Sequence, residues 1–346
     1  MPSGRRPVGE VMKEPCPGLN PRRLVTLMRD AIQRCRLNLD GVVVLTEAAT
    51  GAYVVTPVLA AMAGARHVCA LTRPSRYGSV EDVTVATMAL GEFAGVADRL
   101  SIYTERHQDL FCQADIVTNS GHVRPLDATA ISWMRPTAVI PLMYEAWEFR
   151  PADVDLDACR RRGIPVGGTN ERHPAVDVFG FLGLMAVKLL TDAGVSAYRG
   201  RILLLCDNPF LPFIERGLRS AGAAVRVVEC LSDAPGDETY DAVMVACQPR
   251  RESALSRADV ARLAASWPGA VVAQFWGDVD RSALIDAGVP LWPLDPLRPG
   301  HMGILPSAVG PEVIVRLQAG GLKAAEILRR LGDNLAPEER AFVEVL

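Results

Sequence analysis

The chain has 346 residues, 49% of them hydrophobic and 22% charged, with a formal net charge of -3. That length exceeds what a single core usually serves, so two domains are expected, and the slightly acidic balance offers no basic footprint for nucleic acid. Apolar runs such as Val178–Leu190 are too short for a membrane span and are broken by Gly and Lys.

Residues 1–20 carry charges and prolines where a secretory signal would need an apolar stretch. They read as an arm on a cytoplasmic protein. Cysteines stand at 16, 35, 69, 112, 159, 206, 230 and 247 with no CxxC and no Cys–His spacing, so neither a disulfide framework nor structural zinc is expected. The five histidines are scattered, none paired at i, i+4 as on a metal-binding helix. No metal site is predicted.

In chain order, Pro21–Leu37 is predicted helical, with Leu24, Leu27, Met28, Ala31 and Ile32 on one stripe. An alternating series follows. Strands are predicted at Val42–Leu45, His67–Leu71, Leu100–Tyr103, Asp115–Thr118 and Ala138–Leu142, with helices to about Ala63, at Val80–Ala94 and at Leu126–Met134 between them. Residues 153–168 add a short helix and one strand. A long helix from Pro174 to Ala193, apolar on nearly every face, is predicted to lie buried between two halves.

The second series has strands at Ile202–Leu205, Ala224–Val228, Ala242–Ala246, Ala270–Ala273 and Val289–Trp292, then a helix over Pro311–Leu331. Apolar strands alternating with helices indicate parallel sheets covered on both faces. The fold class is therefore α/β: two Rossmann-like parallel-sheet domains joined by a long helix, with a cleft between them. The expected divisions are an arm (1–20), a first domain (21–172), a linking helix (173–199), a second domain (200–310) and a C-terminal helix with tail (311–346).

The segment from Ala138 to Arg199, which contains DVDLDACRRRGIPVGGTNERHPAVDVFGFLGLMAVKLL, resembles the domain junction of the D-2-hydroxyacid dehydrogenases. YDAVMVA, PGAVVAQFWGDVDRSAL and PLDPLRPGHMGILPSAVGPE resemble later segments of that family in the same order. The likeness is specific at R-G-I-P-V. It implies a nicotinamide cofactor, NADP or NAD, and places His301 where that family carries its catalytic histidine.

One departure redirects the cofactor. The family opens its second half with G-x-G-x-x-G, whose backbone N–H groups approach a pyrophosphate. This chain has Cys206-Asp207-Asn208-Pro209-Phe210-Leu211-Pro212, with no glycine, two prolines and an acid. The candidate cofactor site therefore moves to the first half. Thr46, Thr50 and Gly51 lie in its first turn, and Thr72, Arg73, Ser75 and Arg76 lie past its second strand, where cations suit a 2′-phosphate. Asn119, Ser120 and Gly121 belong to an A-D-I-V-x-x-x-x-G-like loop.

Ligands of open parallel sheets bind beyond the carboxyl ends of the strands, and those loops are rich in reactive groups. His122, His173 and His301 are candidate proton carriers. Glu145 and Glu148, three apart beside Tyr144 and Trp147, are candidate acid/base groups in a pocket wall. Arg124 and Arg172 could clamp an anion bidentately, and Asn170, Asp207 and Asn208 complete the substrate candidates. The leading expectation is an NAD(P)-dependent oxidoreductase acting on a small, anionic, carboxylated metabolite. A lyase or transferase without nicotinamide is the alternative on the same scaffold, and a non-catalytic small-molecule binder is the third. A homodimer is the base-rate expectation.

Overall fold

The computed structural model describes residues 16–250, 253–298 and 300–346. Most of the predicted N-terminal arm lies outside these residues. The first helix, α1 (Pro21–Cys35), starts where the Asn20 side chain accepts from the Arg22 N–H and Pro21 occupies the first turn. It buries Leu24, Val25, Met28 and Ala31 on one face.

The first half then builds β1 (Val43–Glu47), α2 (Val55–Met62), β2 (His67–Leu71), α3 (Val80–Ala94), β3 (Leu100–Tyr103), α4 (Gln108–Gln113), β4 (Ile116–Val117), α5 (Ala128–Trp133), β5 (Ile140–Pro141), α6 (Leu156–Arg162) and β6 (Val166–Thr169). Every residue of β1 is buried, as a strand covered on both faces requires. Helix α3 covers the predicted span residue for residue, because Ser79 and Asp82 form a reciprocal capping box and Gly95 closes it at φ 74°. Strands pair in the order β3-β2-β1-β4. β4 continues to β5 through Val117 N–H to Val139 O (3.0 Å) and Asn119 N–H to Pro141 O (3.0 Å), and β5 pairs β6 in parallel. The resulting order, β3-β2-β1-β4-β5-β6, is that of the dinucleotide-binding sheet.

The linking helix departs from its prediction. Asp177 sits at φ 49°, and the regular helix α7 runs only Leu182–Asp192, after a 3-10 turn. Its apolar face packs into the second half with the core of that domain. The second half contains β7 (Arg201–Leu205), α8 (Leu211–Ser220), β8 (Ala224–Val228), β9 (Ala242–Ala246), α9 (Arg257–Ser266), β10 (Val271–Trp276), α10 (Arg281–Asp286) and β11 (Leu291–Trp292). Its order is β11-β10-β9-β7-β8, the flavodoxin-type arrangement. Helices α7 and α8 meet at Gly183 and Gly217, where a Cβ on either would stand 2.7 or 2.2 Å from the other's backbone. That spacing lets the two helices cross without side chains between them.

The chain finally returns to the first half. Helix α11 (Pro311–Arg329) lies in the core with α1 and α2. A short helix α12 (Pro337–Arg340) leads to β12 (Val343–Val345), which pairs antiparallel with β6 and completes the first sheet. Among the described residues, no helix is long and apolar enough to cross a membrane.

Candidate functional site

In the first sheet the strand order reverses between β1 and β4, and in such sheets ligands bind in the crevice beyond the carboxyl ends at that reversal. Thr46, Thr118 and Ser120 form a buried hydroxyl chain beneath it, at 2.9 and 2.7 Å. Glu47, also buried, lays its carboxyl against the turn after β4. A Cβ added to Gly121 would fall 1.9 Å from Glu47 Oε2, so a larger residue there forces the buried Glu47 carboxyl to move. Burial pushes the Glu47 carboxyl up from its usual range, opposed by the charge of Arg124 and the backbone N–H of His122. Gly121→Ala is expected to destabilise the fold by about 1–3 kcal/mol through overpacking, read as a lower urea midpoint with an unchanged slope.

The candidate cofactor residues frame this crevice. Gly51 adopts φ 64° in the turn before α2, and Thr50 reaches across to Tyr77 O at 3.4 Å. Arg73, Ser75 and Arg76 are exposed past β2. Arg76 lies over the Tyr77 ring at 4.8 Å, and neither arginine forms an ion pair among the described residues. Two buried polar atoms at the neighbouring strand ends lack any partner: Thr72 Oγ1 and Asn119 Oδ1.

Asp153 organises the next part of the site, although its sequence context did not single it out. Its Oδ2 accepts from Arg124 at 2.9 Å, from Tyr144 at 3.0 Å and from Arg150 at 3.1 Å. The Tyr144 hydroxyl in turn accepts from Asn119 Nδ2 at 2.9 Å. Burial alone would raise the Asp153 carboxyl, but Arg124 and Arg150 outweigh it and hold the group low. His301, from the second half, faces this cluster. Burial lowers its imidazole, as do the charges of Arg150, Arg298 and Arg124, so it is neutral at pH 7. His122 is lowered by burial and then by Arg73.

Beside these lies a group of carboxyls. Glu145 is 2% exposed; its Oε1 accepts the Glu171 N–H at 2.9 Å and lies 3.5 Å from Arg172. Burial raises Glu145 all the same. Glu148 is pushed up to about 7 by burial and by the charge of Glu145. Glu171 is pushed well above the usual range by burial and then by Glu148 and Glu145. Trp147, between the two glutamates, crosses to the second half and meets Phe210 and Trp276 edge-on, each at 5.5 Å. Its indole Nε1 is sealed from solvent without an acceptor. Sequence could have singled out Glu171 only by its strand-end position, since its burial comes from tertiary packing beside Glu145 and Glu148.

Other predicted site residues do not join this assembly. Asp207 and Asn208 close their own loop. Asp207 Oδ1 accepts the Gln248 N–H at 2.8 Å and its Oδ2 pairs with Arg250 at 2.6 Å. Asn208 donates to Ala246 O at 2.7 Å and accepts the Phe210 N–H at 3.0 Å. His173 stacks on Phe342 with centroids 3.7 Å apart, and its Nδ1 accepts the Ala175 N–H at 3.1 Å. Asn170 donates to Ala341 O at 2.8 Å. These two side chains hold the C-terminal tail against the sheet. Among the described residues, no three His, Cys, Asp or Glu side chains could together hold a metal ion.

No protein-family model matches this sequence, and no curated protein matches it either. Solved structures do. A dipicolinate synthase subunit from Bacillus halodurans superposes with a TM-score of 0.52 at 12% identity, covering 86% of this chain and 100% of that one. The dipicolinate synthase of Bacillus subtilis gives 0.50 at 12% identity, covering 86% and 97%. NAD-dependent formate dehydrogenase from Staphylococcus aureus gives 0.45 at 12% identity, covering 84% and 94%. At this identity the first two likenesses establish the fold: an α/β protein of two Rossmann-type domains.

Proposed function

We propose that this chain is an NAD(P)-dependent oxidoreductase acting on a small carboxylated metabolite in the cleft between its halves. The observation that carries the reading is the strand order β3-β2-β1-β4-β5-β6 of the first half, because a dinucleotide lies across the reversal in that order. Thr46, Thr50 and Gly51 would line the cofactor's approach at β1. Thr72, Arg73, Ser75 and Arg76 would meet its ribose and 2′-phosphate, and Asn119, Ser120 and Gly121 would lie beneath its other half. The unpartnered Thr72 Oγ1 and Asn119 Oδ1 fit such a ligand, since buried polar atoms otherwise find a partner.

When bound, the nicotinamide supplies or accepts the hydride. The chain's own groups do the rest. Glu148, with its pKa brought to about 7, exchanges a proton near neutrality. Arg124, fixed by Asp153 at 2.9 Å, receives the substrate's carboxylate. The neutral His301 faces the same place from the second half and accepts or returns a proton there.

A second reading, a lyase or transferase without nicotinamide, is favoured by one observation. The Glu47 side chain occupies the β1–β4 crevice against Gly121, and an ionised carboxyl there would repel a pyrophosphate. Titration of the full chain with NADPH and NADH, followed by nicotinamide fluorescence and thermal stability, separates the two. We expect saturable binding, weakened about tenfold for NADPH, or about 1.4 kcal/mol, by Arg73→Ala with Arg76→Ala. No response to either nucleotide up to millimolar concentration sinks the oxidoreductase reading and leaves the other.

A further inference from the structure

We infer that Asn119 reads the carboxamide of a bound nicotinamide: its Oδ1 accepts the carboxamide N–H, and Asp153 and Tyr144 hold the Asn119 amide in the orientation this requires. The inference rests on the nucleotide-binding reading proposed above and assigns one atom of this chain to one group of that ligand.

An asparagine amide turned over exchanges a donor for an acceptor, so its orientation has to be argued from its partners. Here the partners form a chain in which every proton is accounted for. Asp153 Oδ2 lies 2.9 Å from Arg124 Nη1 and 3.0 Å from Arg150 Nη2. Burial opposes ionisation of this carboxyl, but the two cations outweigh it and hold the group low. An ionised Asp153 only accepts, so the Tyr144 hydroxyl, 3.0 Å away, donates to it. Burial and the Asp153 charge push that hydroxyl up to about 12. It is therefore a neutral phenol whose single proton is already given to Asp153. Toward Asn119, at 2.9 Å, Tyr144 offers lone pairs alone, and the Asn119 Nδ2 donates to them. A turned amide would set Oδ1 against the phenol oxygen with no proton between the two.

This lock leaves Oδ1 without a donor. Asn119 is 2% exposed, and its Oδ1 is sealed from solvent with no partner. Buried acceptors are ordinarily bonded, and a bare one carries a desolvation penalty. Thr72, Thr87 and Thr169 also have unpartnered buried hydroxyls, but a hydroxyl rotates to suit its surroundings and a locked amide does not.

The backbone fixes where this acceptor stands. Asn119 follows β4 at its carboxyl end, with its N–H on Pro141 O at 3.0 Å, beside the β1–β4 reversal. A dinucleotide across that reversal lays one nucleoside toward β2 and the other toward β4 and β5. Arg73 and Arg76 follow β2 and were given the 2′-phosphate, so the nucleoside over β4 is the nicotinamide one. Its carboxamide is planar and carries two N–H donors, the complement of a fixed amide oxygen. Asn119 thus touches the ligand, whereas Tyr144 and Asp153 are positioning residues that act through it.

The test is calorimetric titration of the full chain with NADPH and NADH, each beside its reduced 3-acetylpyridine analogue. In the analogue a methyl ketone replaces the carboxamide, which keeps the carbonyl and removes both N–H donors. The parent nucleotide should bind about tenfold more tightly than its analogue, the loss expected when a buried acceptor is left bare. Asn119→Ala should bring that ratio near one by weakening the parent nucleotide. Tyr144→Phe keeps the ring and removes the lock, and should lower the ratio by about threefold or more. A merely structural role for Tyr144 would weaken both nucleotides alike and leave the ratio where it was. Both variants are checked for native circular dichroism, and Tyr144→Phe alone decides if Asn119→Ala does not fold. Equal affinity of the unsubstituted chain for nucleotide and analogue, or an unchanged ratio in either folded variant, overturns the inference and spares the oxidoreductase reading. No binding of any of the four nucleotides removes both.

Discussion

Phe210→Ala is expected to lower the unfolding free energy by about 3–5 kcal/mol, the range for deleting a well-packed buried aromatic side chain. Phe210 is 3% exposed. Its ring meets Phe179 at 5.2 Å, Trp147 at 5.5 Å, Trp276 at 5.1 Å and Phe275 at 6.5 Å. Each edge-to-face pair adds to the loss from area alone. Because Trp147 belongs to the first half and the others to the second or its entry helix, the substitution also weakens the contact between the halves. Urea unfolding followed by tryptophan fluorescence reads the change. A loss under about 1 kcal/mol would mean that the 206–212 loop is not seated in this core and stands open to a ligand after all.

The same ring explains why the dinucleotide turn is missing from the second half. A glycine-rich turn leaves room for a pyrophosphate above the first strand. Here Asp207 and Asn208 seal the β7–β9 reversal with their own hydrogen bonds, and Phe210 turns inward. The loop is an internal staple. Its sequence, polar residues followed by Pro and Phe, has the composition of a surface turn, so only the tertiary contacts distinguish the two.

Much of the fold was legible for local reasons. The apolar strands of both sheets and the capped helix α3 announce themselves by periodicity and end signals. β12 did not, because three residues with a glutamate in the middle carry no pattern and pair only with a distant strand. The linking helix began late for a related reason: Asp177 at φ 49° and the His173 contacts to the tail fix a loop where composition alone suggests a helix. At the site, Glu145, Glu148, Tyr144, Arg124 and Asn119 were marked by strand-end position and came together. Asp153, which holds three of the neighbouring groups, looked like one acid among several in a helix approach. Strand order, which locates the crevice, is a property of long-range pairing and was not available from local pattern at all.

Stability should fall as the pH rises from about 6.5 to 8, contrary to the usual behaviour of a protein held by ionised carboxylates. In the unfolded chain a glutamate titrates near 4.3. In the folded chain Glu148 does so at about 7, Glu171 well above the usual range, and Glu145 and Glu47 are raised as well. Between the unfolded and folded values the native state binds more protons, so the contribution of these groups is full below about pH 4.3 and is lost as pH climbs through the folded values. Because Glu148 is only half-buried, solvent screening leaves its contribution at about 2 kcal/mol. Asp153, held low by its arginines, works in the other direction below about pH 4, and His122, His173 and His301, all lowered by burial, work in the other direction up to about pH 6.5, so the glutamates dominate only above that. Glu148→Gln keeps the shape and removes the charge. It should gain about 1–2 kcal/mol at pH 8, change little at pH 5 and flatten the profile between them. Urea unfolding at pH 5, 6.5 and 8 decides the matter. A variant that is less stable than the parent at pH 8 would mean that the ionised Glu148 has a cationic partner within the protein, and the cleft would then have no charge left to offer a ligand.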